Sequence, residues 1–167
     1  MRPLPFALAI AGLLSPAFAL AAEPSGCDQF KWPIAHEQSA LLAPQAARLD
    51  SGATLAFDAA ANVHLAPAAD AKLEMPPERA SKASPSFAGL LKLGAPSAAG
   101  IFKVTLSDEG WIDVIQDGRF LKPVGFTGAT DCQGVRKSVK FAFEAKPLTV
   151  QLSGVKAAEI SVIVSPE

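Results

Sequence analysis

The sequence predicts an all-β protein, namely a jelly-roll-like, two-sheet antiparallel β-sandwich of about eight strands with a short N-terminal helix. Apolar and polar residues alternate with a period of two in five segments of the second half. Turn residues separate these segments at intervals of about 8 to 12 residues. No helical pattern lies between them, so the long crossover that joins parallel strands is not predicted.

The first residues predict export. A basic start precedes an almost wholly apolar run over 4–20, and residues 17–19 or 19–21 have the small side chains that signal peptidase recognises. We therefore predict a signal peptide over 1–22 and a periplasmic or secreted mature protein. Because no basic stop-transfer cluster follows the run, we expect no membrane span after cleavage.

The charges nearly balance, with 15 Lys and Arg against 16 Asp and Glu. A nucleic-acid-binding face needs clustered cations, so we expect no nucleic-acid partner. The mature chain has the length of one domain. We expect a monomer whose partner is a small ligand or a component of the cell envelope.

Two cysteines, Cys27 and Cys132, lie 105 positions apart. In an oxidising compartment an isolated pair favours one disulfide. A redox pair is usually close in sequence, and a soft-metal site needs more Cys or His ligands. The structural bridge is therefore the favoured interpretation.

The segment before the sandwich predicts a short helix over 33–43. Pro33 suits a first helical turn, and the apolar residues after it have helical spacing. Aromatic residues just before the helix would pack against the domain. We expect residues 23–48 to form an N-terminal helical clamp, followed by the sandwich domain over 49–167.

The sandwich domain begins with two weak strands, 53–57 and 62–66, and a Pro- and Ser-rich surface loop over 74–86. Asp117-Gly118 is a strong hairpin signal because both central residues of that turn favour positive φ. The later strands are predicted at 87–93, 100–107, 110–116, 119–122, 137–144, 147–153 and 158–165.

The four acids of the segment 107–120 fall on different parts of this pattern. Asp108 and Glu109 lie in one turn, Asp117 lies in the next, and Asp113 lies mid-strand on the outward face. The two turns would be about 20 Å apart, so we expect no paired-carboxylate active site.

The candidate ligand-binding residues are Trp111, Asp113, Arg136 and Lys137. Trp111 beside Asp113 could stack on a sugar ring, and Arg136 and Lys137 could bind an anionic or sugar ligand. Alternatively, Trp111 belongs to the sandwich core. Arg136 would then pair with Asp131 or Asp113 and hold its loop.

No catalytic residue, metal site or cofactor is predicted. The chain has two histidines, His36 and His64, and nothing in the pattern brings them together as a 2-His-1-carboxylate iron site requires. Nucleophile elbows, phosphate-binding loops and calcium loops are also absent from the sequence.

The stretches CDQFKWPIAHEQSALLA, MPPERA, VTLSDEGWIDVIQDG and CQGVRKSVKFAF resemble small exported, mainly alphaproteobacterial proteins catalogued as homogentisate 1,2-dioxygenase. The resemblance covers nearly the whole mature chain and is most specific at 110–118 and 132–137. It implies an iron-dependent ring-cleaving dioxygenase, with His36, His64 and a carboxylate as the conceivable ligands. Homogentisate dioxygenases are longer cupin enzymes, and no His, Glu, His motif of theirs matches this chain.

The strand pattern also resembles, more loosely, the pre-peptidase C-terminal type sandwiches of secreted enzymes, which imply a noncatalytic role. We therefore expect a noncatalytic exported binding or accessory protein that takes a carbohydrate or an anionic ligand. The alternative is the dioxygenase.

Overall fold

The computed structural model describes residues 22–167, so the predicted signal peptide lies almost entirely outside the described residues. Over this range the chain forms two β-sheets of six and five strands and one short α-helix, which confirms the predicted all-β sandwich. The elements follow a 3-10 turn at Cys27–Gln29 and are, in chain order, α1 (Ala35–Leu41), β1 (Ala47–Asp50), β2 (Ala60–His64), β3 (Ala66–Pro67), β4 (Phe87–Leu93), β5 (Gly100–Leu106), β6 (Trp111–Gln116), β7 (Arg119–Phe120), β8 (Pro123–Gly128), β9 (Lys137–Phe143), β10 (Leu148–Val155) and β11 (Glu159–Pro166).

The six-stranded sheet has the order β1-β2-β11-β5-β9-β8, and the five-stranded sheet has the order β3-β4-β10-β6-β7. Neighbouring strands are antiparallel except β1 and β2, which pair in parallel. The expectation of a purely antiparallel sandwich was wrong at this edge. The connection between β1 and β2 contains no helix, and it bonds instead to β4 of the other sheet through Thr54 and Lys92.

Two more predictions need correction. Residues 53–57 form no strand, and only Thr54 makes an isolated bridge, to Lys92. Strand β8 was missed, because Pro123, Gly125 and Gly128 hide its alternation of side chains. The predicted hairpin at Asp117 and Gly118 is confirmed, and both residues have positive φ, 53° and 69°.

The core lies between the two sheets, where the alternating apolar residues meet. Val104 and Val162 of one sheet and Val114 and Val150 of the other are fully buried. At one end of the core the ring of Phe102 stacks on a phenylalanine ring of β9, with the ring centroids 4.9 Å apart. The period of two therefore placed the inward side chains correctly.

The N-terminal segment, hereafter the clamp, covers the outer face of the six-stranded sheet. The Cys27–Cys132 disulfide is present, and a second apolar cluster packs between helix and sheet through Ile34, Leu41, Cys132, Val135 and Ile163. The helix is shorter than the predicted 33–43: Ile34 is its N-cap, so Pro33 precedes the first turn instead of lying in it, and Leu42 is its C-cap. The proline at position 44 disfavours a helical conformation at residue 43. Under the helix, Glu37 is buried and pairs with Lys103 at 2.5 Å.

Residues 68–86, hereafter the covering loop, lie over the outer face of the five-stranded sheet. The side chain of Gln151 accepts from the backbone N–H of Glu74 at 3.1 Å and donates to the carbonyl of Met75 at 2.9 Å. Asp113 accepts from the N–H of Glu78 at 3.3 Å. This outward face was expected to meet water, but Asp113 and Gln151 are 2% and 0% exposed.

Within residues 22–167, no helix has the length and apolar character needed to cross a lipid bilayer.

Candidate ligand-binding site

The two sheets separate along one edge of the sandwich and form a groove of about 630 Å³, hereafter the edge groove. Its apolar wall comes from β6, β8 and β9 and includes Ile112, Phe126 and Val139. Phe126 lies opposite Val139 in the β8–β9 pair, so its ring extends from the same face of the sheet. It is 65% exposed, which is unusual for so large an apolar side chain. An open apolar wall of this kind is typical of ligand-binding clefts.

Trp111 stands at one end of the edge groove and is half-buried. Its indole Nε1–H donates to Asp113 Oδ1 at 2.7 Å, and the guanidinium of Arg79 lies 5.3 Å from its ring centroid. The residue does not belong to the core between the sheets. Its ring lies on the outside of the sandwich, held through Asp113, and the Arg79 guanidinium lies over one face of it.

Asp113 lies on the same outer face but lines neither of the cavities beside Trp111. Burial raises its pKa, and the hydrogen bonds from Trp111 and from the backbone of Glu78 lower it in part, so that it stays above the ordinary value. Its two carboxylate oxygens are used by these two donors. Asp113 can therefore orient Trp111 but is placed behind the cavity surface.

Arg136 and Lys137 both line the edge groove, and both are engaged by carboxylates. Glu109 binds Lys137 at 2.8 Å and Arg136 at 3.1 Å, while Glu23 binds Arg136 at 2.7 Å. The expected partners of Arg136, Asp131 and Asp113, were wrong. These four charges form a network whose hydrogen-bonding groups face the groove while its net charge is close to zero.

A smaller cavity of about 310 Å³, hereafter the loop cavity, lies between the covering loop and the five-stranded sheet. Arg79, Lys82, Lys156 and Ser153 line it, together with Trp111. Because Trp111 also lines the edge groove, the indole separates two adjoining spaces.

The acids of the segment 107–120 do not converge, as expected from the strand length. Glu109 belongs to the network at the edge groove, Asp113 holds Trp111, and Asp117 accepts from Lys146 at 2.7 Å. The hydrogen bond from Lys146 lowers the pKa of Asp117. The fourth acid, Asp108, accepts from the backbone N–H of Glu109. Each of the four carboxylates therefore has a separate partner.

The two histidines occupy unrelated surroundings. His36 on α1 lies 2.6 Å from Asp58, and His64 is exposed at the end of β2. Among the described residues no group of three or more His, Cys, Asp or Glu side chains could hold a metal ion. The donor set that an iron dioxygenase requires does not fit this arrangement.

Comparison of the chain with protein-family models, with curated proteins and with solved structures found no match.

Some groove residues were missed by sequence reasoning. Phe126 was overlooked together with β8, and Arg79 was assigned to a surface loop without a partner. The only available signal for Phe126 was an apolar aromatic residue between glycines. The position of Arg79 depends on how the covering loop folds back, which no local pattern encodes.

Proposed function

We propose that this protein is a noncatalytic binding or accessory protein of the periplasm or cell surface, and that it binds carbohydrate in the edge groove. The observation that carries the proposal is Trp111, whose ring is fixed by Asp113 at the junction of two cavities. The C–H-bearing face of a sugar ring can pack on such an indole while its hydroxyls bond to polar groups around it.

The network beside Trp111 supports a sugar more than a free anion as the ligand of the groove. Arg136 and Glu109 offer planar groups that donate and accept hydrogen bonds to vicinal hydroxyls. Because Glu109 and Glu23 already balance the charge of Arg136 and Lys137, a small anion would have to displace a carboxylate. A hydroxylated ligand would not.

The proposal is tested by sedimentation of the purified protein with insoluble peptidoglycan and by retention on immobilised polysaccharides. We expect Trp111→Ala to lose binding and Arg136→Ala to weaken it. Leu42→Ala is the matched control, since Leu42 is 47% exposed and lines neither cavity. Retention that is unchanged in both groove variants would remove the edge groove as the site.

The proposed location has its own test. The disulfide agrees with export. Cell fractionation followed by intact mass should give a mature chain that begins at Ala22 or Glu23 and carries one disulfide. A full-length chain with free thiols in the cytoplasm would contradict export.

A further inference from the structure

The loop cavity has an excess of positive charge. Its lining contains four cationic side chains, Arg79, Lys82, Lys137 and Lys156, and one carboxylate, Glu109. Lys137 is paired with Glu109. Within residues 22–167 the other three cations form no ion pair with a carboxylate. An anion in this cavity would therefore not compete with an existing partner.

A buried hydroxyl in the same cavity points to a ligand independently of the charges. Ser153 lies on the outer face of β10, directly opposite Trp111 in the β10–β6 pair, and is 4% exposed. Its Oγ has no hydrogen-bond partner in the described part of the chain. Buried hydroxyls are normally hydrogen-bonded, so Ser153 has an unused donor beside the cavity that it lines.

The two cavities adjoin at Trp111 and share it with Arg79, Glu109 and Lys137. One ligand can therefore place a ring against the indole and a substituent in the loop cavity. Arg79 lines both spaces and its guanidinium lies 5.3 Å from the indole centroid, so it is placed to bind an anionic substituent of a ring that packs against Trp111.

We propose that the edge groove and the loop cavity together bind an acidic saccharide, with a sugar ring on Trp111 and an anionic substituent among Arg79, Lys82, Lys156 and Ser153. This inference rests on the proposed function and specifies its ligand class. The shared chemistry is a carboxylate or phosphate group attached to a sugar. A covalently linked ring and charge would bind better than either part alone.

The test is calorimetric titration of the mature protein with trigalacturonate and with its methyl ester, which has the same rings without the charges. We expect the acid to bind at least about tenfold more tightly, and this difference to shrink as salt is added. Inorganic phosphate, an anion without a ring, should compete only weakly.

The cavity is tested with matched charge variants. Lys82→Met with Lys156→Met should abolish most of the preference for the acid, and Ser153→Ala should reduce it several-fold. Lys72→Met with Lys92→Met removes the same charge from exposed positions outside both cavities and should leave the preference unchanged. Circular dichroism confirms that each variant is folded.

Three results would overturn the inference. Equal affinity for acid and ester, with binding still lost in Trp111→Ala, would remove the anion site and leave the proposed function intact. An acid preference that survives in the Lys82 and Lys156 variant would place the anion elsewhere. Binding of neither sugar would also overturn it, and the sedimentation assay would then decide the proposed function separately.

Discussion

The outer faces of the two sheets are both covered, but by different chemistry. The N-terminal clamp covers the six-stranded sheet with apolar side chains and a disulfide. The covering loop lies over the five-stranded sheet through hydrogen bonds to Gln151 and Asp113 and leaves a cavity beneath it. An apolar, cross-linked contact stabilises the fold, whereas a polar contact with space beneath it is suited to admit a ligand.

A buried carboxyl under each cover shows the same contrast. Burial raises the pKa of Glu37, but hydrogen bonds from Lys103 and Ser165 outweigh it, so the pKa is lowered overall. Burial also raises the pKa of Asp113, and no cation compensates it. The carboxyl of Glu37 is paired with a cation through Oε1, while its Oε2 has no hydrogen-bond partner among residues 22–167. The carboxyl of Asp113 has no cation beside it, and its burial is offset only in part by the hydrogen bonds that orient Trp111.

The largest expected loss of stability comes from removing the disulfide of the clamp. Cys27→Ser with Cys132→Ser removes a link across 105 residues, and the chain-entropy model gives a loss of about 4 to 5 kcal/mol. Urea unfolding followed by circular dichroism measures it. A loss below about 1 kcal/mol would show that the apolar contacts hold the clamp without the disulfide.

The next largest loss of stability is expected when the buried ion pair beneath α1 is broken. Glu37→Ala leaves Lys103 without its partner, and we expect the free energy of unfolding to fall by about 3 kcal/mol at pH 7. Glu23→Ala is the control, because Glu23 is exposed. Equal stability of the two variants would contradict a structural role for the buried pair.

Glu37 also makes the fold acid-sensitive. Because its folded pKa lies below the ordinary value of 4.5, its stabilisation is present above that value and is lost as the pH falls through the folded pKa. Glu37→Ala should therefore show a flatter loss of stability below about pH 4.5 than the unaltered protein. Parallel curves for the two proteins would be inconsistent with this linkage.

A smaller loss of stability is expected when the hydrogen bonds that hold the covering loop are removed. Gln151→Leu removes three hydrogen bonds to residues 74 and 75, at a cost of about 1 to 3 kcal/mol. Trypsin cleavage after Arg79 and Lys82 should become faster than cleavage elsewhere. Thr149→Val, on the same face of β10, is the control. Uniformly faster cleavage would mean that the whole fold, and not the loop, is affected.

The smallest change in stability is expected for Asp113→Asn. A raised folded pKa means that the stabilisation from Asp113 is fully present below its ordinary value of 3.8 and is lost as the pH rises through the folded pKa. Asn keeps an acceptor for Trp111, so stability at pH 7 should change by less than about 1 kcal/mol. Stability measured between pH 4 and 7 should decline less with rising pH than in the unaltered protein.

The sequence predicted the elements with strong local patterns. The alternation in β5, β6, β9, β10 and β11 identified these strands within about two residues, because one face of each had to be apolar. β1 and β8 were missed, since β1 has four residues and β8 contains Pro and Gly. Their places depend on edge pairing rather than on a local pattern.

The candidate site was predictable only in part. Trp111, Arg136 and Lys137 drew attention as an aromatic residue and two cations near turns, and all three line the edge groove. Their partners Glu23, Glu109 and Arg79 come from distant segments. The cavity over the five-stranded sheet depends on how the covering loop folds back, and that is a property of the whole fold.

The most direct test of the contrast between the two covered faces uses the two tryptophans of the chain. Trp32 belongs to the clamp and its indole N–H donates to Ser138, whereas Trp111 lies beside the covering loop and its indole N–H donates to Asp113. Nuclear magnetic resonance resolves the two indole N–H signals during titration with trigalacturonate. We expect the Trp111 signal and the amides of residues 79–83 to shift while the Trp32 signal stays in place; a shift of Trp32 alone, or of neither indole, would contradict the account.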